Sequence, residues 1–74
     1  MLRALKAACR HARMLGHTVP SNEELRMGCA YALTHPWAPL DTALEADSAD
    51  GRAFAREMHA SERLLCGFNR SVDT

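Results

Sequence analysis

The apolar positions of this chain recur at helical spacing in three long stretches, and no segment alternates as a strand would. In the first stretch, turning 100° per residue, Leu2, Leu5, Cys9 and Ala12 share one stripe, with Leu15 nearby. Arg3, Lys6, Arg10 and Arg13 form a second stripe, and Ala4, Ala7, His11 and Met14 a third. Gly16 reads as a left-handed cap, so a helix is expected over about 1–15. The leucine stripe is expected to form the core. The third stripe is then spare, and its small residues with Met14 suit an adaptable contact.

The second stretch opens with Ser21-Asn22-Glu23-Glu24, a capping box. The Ser21 hydroxyl accepts from the Glu24 amide, and the Glu24 carboxylate reaches back to the Ser21 amide. Glu23 and Glu24 also suit the positive end of the helix dipole. Met27 to Leu33 is an unbroken apolar run, which predicts a central helix over about 21–35, enclosed on several sides. Gly28 and Ala32, one turn apart, invite a neighbouring backbone to come close. His35-Pro36 ends the helix, because the residue before a proline is pushed out of the helical region. Val19 stands near enough to staple onto Leu25.

Beyond a proline-bracketed turn carrying Trp37, Leu40 and Leu44 suggest a short helix over about 40–46. Asp47 to Gly51 is a break rich in cap residues. The third long helix is expected over about 49–66, with Gly67 as its stop. Its core stripe is Phe54, Met58, Ser61 and Leu65, and Arg52, Arg56, His59 and Arg63 lie on the far side. The expectation is therefore an all-α bundle of three longer helices and one short one. Residues 1–67 form a single domain and 68–74 a frayed tail, with Phe68 folding back on the core.

Composition narrows the function. Seventy-four residues bury only about 60% of the surface the unfolded chain exposes, so the stability margin is small. Aromatic residues make up 5%, which leaves Leu, Met, Ala and Cys to fill the core. A homodimer or a larger partner covering leftover apolar surface follows naturally. Net charge is zero, which argues against a general nucleic-acid binder. The charge is nevertheless uneven. Residues 1–20 hold four cations and no acid, while residues 21–50 hold six acids against Arg26 alone. Attraction between these halves within the fold is the simplest consequence.

Three widely spaced cysteines, Cys9, Cys29 and Cys66, do not make a disulfide framework, and they suit a reducing, cytoplasmic compartment. With His11, His17, His35 and His59 they include both zinc ligand types. No Cys-x-x-Cys pair and no His pair one turn apart is present, so the cysteines are read as core and the histidines as helix-end residues. No Gly-x-Ser-x-Gly, catalytic-cysteine signature or phosphate-cradling loop occurs. No catalytic, metal or cofactor residue is assigned, and no stretch is long enough to span a membrane.

The alternative is a small helical DNA-binding transcriptional regulator, with residues 40–65 posed as a helix-turn-helix. The acids Asp41, Glu45, Asp47 and Asp50 would then face phosphates, and Gly51 sits past the turn. The expected function is instead non-catalytic association with another protein, regulating or inhibiting it. Small accessory proteins with which phages switch off a host factor are one such class. The expected contact residues are Arg3, Lys6, Arg10 and Arg13 of the basic stripe, Ala7, His11 and Met14 of the spare stripe, and Trp37. Trp37 is either a lid on the core or an anchor in the interface.

Overall fold

The Ser21 box forms as expected and starts the middle helix of the structure, a computed structural model. It describes residues 2–73, with side chains for residues 2–65. The helices are α1 (Leu2–Met14), α2 (Asn22–Thr34) and α3 (Ala49–Asp73), with no strand among the described residues. Glu24 N donates to Ser21 Oγ at 3.2 Å, and Ser21 N donates to Glu24 Oε1 at 2.9 Å. Gly16, at φ +84°, caps α1. His17 N donates to Ala12 O at 2.9 Å and Gly16 N to Arg13 O at 3.1 Å, the paired bonds of a Schellman motif. Val19 is exposed and staples nothing.

α1 and α2 run antiparallel, since His11 meets Glu24 while Arg3 reaches the carbonyl of His35. Their approach is very close. A Cβ on Gly28 would meet the Ala4 carbonyl oxygen, with Ala8 N at 3.1 Å and Ala8 Cβ at 3.2 Å. Only small side chains fit between backbones at that separation. The face of α1 turned to α2 is accordingly Ala4, Ala7, Ala8, His11 and Ala12, all buried. α2 packs on both α1 and α3, which makes it the central helix. It is not enclosed all round, because Arg26, Cys29 and Leu33 face solvent.

α3 supplies Phe54, Met58 and Ser61 to the interior, as its stripe predicts, and leaves Arg52, Arg56, His59 and Arg63 outside. Leu65 is half-buried. Met27 and Met58 are the largest fully buried side chains, each contributing about 2–3 kcal/mol by removal from water. The buried Ser61 hydroxyl is satisfied by Thr34 Oγ1 at 2.9 Å, which ties α3 to the end of α2. Tyr31 stacks on His35 at 4.2 Å and meets Phe54 edge-on at 5.2 Å. Ser48 caps α3, its Oγ accepting from Gly51 N at 2.9 Å. The helix carries through Gly67, where a stop was expected. The expectations of a folded-back Phe68 and a frayed tail over 68–74 fall outside the residues described in side-chain detail.

The short helix expected over 40–46 does not form. Residues 35–46 run instead as a strap of turns, bends and irregular backbone along α1. Four of its carbonyls accept from α1. Arg3 Nη2 donates to His35 O at 3.1 Å and Ala38 O at 2.6 Å. Arg10 donates from Nε to Thr42 O at 2.8 Å and from Nη1 to Pro39 O at 3.0 Å. Bonds from charged donors are stronger than a helical amide's, and seven residues are too few to hold a helix without packing. Without a helix at 40–46 the helix-turn-helix arrangement is also absent.

Candidate protein-binding surface

The two apolar seams of α1 largely exchange places, although Ala12 of the expected core seam is buried as expected. Ala4, Ala7 and His11, the seam expected to be spare, lie in the core, and Met14 packs against it. Leu2 and Leu5, the seam expected to be core, are 66% and 48% exposed. The physical reason is Gly28. Its missing side chain draws the α1 backbone in, and leucines on that face would be driven into α2.

Three of the four basic residues are also committed within the chain. Arg3 and Arg10 hold the strap, and Arg10 additionally lies 4.8 Å from the Phe54 ring centroid, a cation–π contact. Lys6 Nζ pairs with Asp41 at 3.1 Å across exposed side chains. The placement of Arg3 and Lys6 against the helix dipole is thus explained by the strap they fasten. Arg13 is exposed, with no ion pair among the described residues. Trp37 is 91% exposed on its loop and is no lid.

These placements leave a concave surface of about 350 Å³ between α1 and the strap. Leu2, Leu5 and Cys9 line one wall, and Leu40 and Leu44 the other. Lys6, Arg10 and Arg13 stand along it, with Asp41 opposite. Sequence reasoning missed this groove by assigning its leucines to the core. The signal was present, since a Gly28 face on α2 requires the alanine face of α1.

On the other side of α1 lies a buried polar pair. His11 Nδ1 donates to Glu24 Oε2 at 2.7 Å, with both residues under 7% exposed. Burial pushes the Glu24 carboxyl up. The Ser21 amide, the His11 bond and the nearby imidazole charge outweigh it, holding the carboxyl below its ordinary value. His11 is an interior hydrogen-bond donor in the last turn of α1, a helix-end position as expected. The His59 ring stands edge-on to it at 6.0 Å. Tyr31 is pushed the other way, its phenol raised by burial and by Glu57.

Cys9 and Cys29 are free thiols, Cys9 half-buried and Cys29 exposed where a core position was expected. Cys66 lies outside the residues described in side-chain detail. Among the described residues no three His, Cys, Asp or Glu side chains are grouped to hold a metal. No helix there is long and apolar enough to cross a membrane. Comparison with protein-family models, with curated proteins and with solved structures finds no match for this chain.

Proposed function

We propose that this chain is a small protein-binding module that regulates or inhibits a larger protein by association, without chemistry of its own. One observation carries the reading. The interior is built from alanines and methionines around Tyr31, Leu40 and Phe54, while Leu2, Leu5, Leu15, Val19, Leu33, Trp37 and Leu64 are displayed outside. A chain with little apolar material to fill its core gains nothing in folding by placing its leucines in water. Their placement supports a surface made to be covered. Trp37, held between Pro36 and Pro39, is an anchor that costs little entropy to present.

The DNA-binding alternative draws less support, because Arg3 and Arg10 are engaged with carbonyls of the strap. Free thiols suit the cytoplasmic setting expected from cysteine spacing. The size and build also suit the accessory proteins with which phages act on host factors.

Affinity capture from the native host tests the reading, using the full chain and a variant combining Leu2→Ser, Leu5→Ser, Leu33→Ser and Trp37→Ala. One protein enriched by the parent and lost from the folded variant is the expected result. Salt-sensitive retention on heparin without any protein partner would favour the DNA alternative.

A further inference from the structure

We propose that the groove between α1 and the strap receives an acidic amphipathic helix of the partner; this rests on the protein-binding reading above. Three features of the groove define that occupant.

The first is the shape of its apolar wall. Leu2, Leu5 and Cys9 follow one another at i, i+3 and i+7 along α1, a straight seam about 10 Å long. Leu44, half-buried on the strap, and the buried Leu40 line the same depression. A ridge of apolar side chains at the same spacing on a second helix fits such a seam.

The second is what the strap withholds. An extended peptide would need free backbone groups to pair with. The carbonyls of Ala38, Pro39 and Thr42 already accept from Arg3 and Arg10. With those carbonyls taken and Pro39 offering no N–H, an added strand would meet a broken ladder, which favours a helix.

The third is charge. Lys6, Arg10 and Arg13 border the groove against the single carboxylate of Asp41. The Lys6–Asp41 pair is held by side chains 44% and 86% exposed, so it is weak and readily exchanged for a partner's carboxylate. Arg13 stands ready for another. The first turn of α1 carries no acid, so the positive end of that helix is also uncompensated. Two copies meeting through α1 would bring these cations face to face. The charge therefore selects an acidic partner and disfavours a second copy.

The test uses two fluorescein-labelled helical peptides of about 18 residues with the same leucine ridge, one flanked by glutamates and one by lysines. The full chain should bind the acidic peptide saturably and the basic one at least roughly tenfold more weakly at low salt, the gap narrowing as salt is added. Leu5→Glu, at an exposed position, should abolish binding while leaving the circular dichroism melt in place. Arg13→Glu should weaken binding several-fold, and Ala60→Glu, exposed on α3, should leave it unchanged. Equal binding of both peptides overturns the proposal, as does undiminished binding by folded Leu5→Glu. A concentration-dependent dimer dissolved by Leu5→Glu overturns it too, assigning the face to a second copy. In host extract, a partner still captured by Leu5→Glu retires the groove and keeps the protein-binding reading. No captured partner and no peptide binding retires both.

Discussion

Glu24 shows how much one side chain can settle in a chain this short. One carboxylate oxygen closes the capping box on Ser21, and the other accepts from His11 on the neighbouring helix. The carboxyl is held below its ordinary value of 4.5, so in acid the unfolded chain takes up the proton first. The stability it contributes is complete above about 4.5 and is lost as pH falls through the lower folded value. Glu24→Gln is expected to cost about 2 kcal/mol at pH 7. In urea melts that gap between parent and variant should shrink steadily below pH 4.5. Gly28 and Gly51 give an opposite surprise. An interior helix glycine replaced by alanine normally gains up to about 1 kcal/mol. Here a new Cβ would run into the carbonyl of Ala4 or of Glu45. Thermal melts of Gly28→Ala and Gly51→Ala should show losses of about 1–3 kcal/mol each. The capping box was legible because it is written in four adjacent letters. The His11–Glu24 bond was not, since it spans 13 positions and depends on how α1 is rotated.

At the level of elements, the three long helices were readable from periodicity, and α2 was readable as the central one. The rotation of α1 was not, because leucines outrank alanines in any hydrophobic pattern. Contact distance decided the matter, and Gly28 was its only trace in the sequence. The strap was misread for a related reason. Leu40 and Leu44 have helical spacing, yet the bonds from Arg3 and Arg10 to its backbone come from about thirty residues away. Arg10 should be the residue that holds it. Arg10→Ala removes two charged hydrogen bonds and the contact over Phe54, and a loss of about 2 kcal/mol is expected. Limited proteolysis of the variant should cut within 40–44 well before it cuts in α2. Lys6→Ala, which breaks only an exposed pair, should cost less than about 1 kcal/mol.

For the whole molecule, the unusual feature is the traffic of large apolar residues to the outside. Trp37→Ala and Leu33→Ser should each change stability by less than about 0.5 kcal/mol, because both side chains stand in water. A large loss in either melt would mean that the residue packs on the fold after all. The turn joining α1 to α2 has a different consequence, one of time. Its Schellman bonds, its capping box and the His11–Glu24 bond all lie within residues 11–24. Contacts so close along the chain close at little entropic expense, within a fraction of a microsecond for a loop of this size. The strap and α3 must be gathered from much farther away. The α1–α2 hairpin is accordingly expected to be in place at the folding barrier, with the strap fastened afterwards. In stopped-flow chevrons, Glu24→Gln should slow refolding, whereas Arg10→Ala should chiefly hasten unfolding. Once folded, the chain would lose its groove by unlatching the strap long before it lost the hairpin beneath.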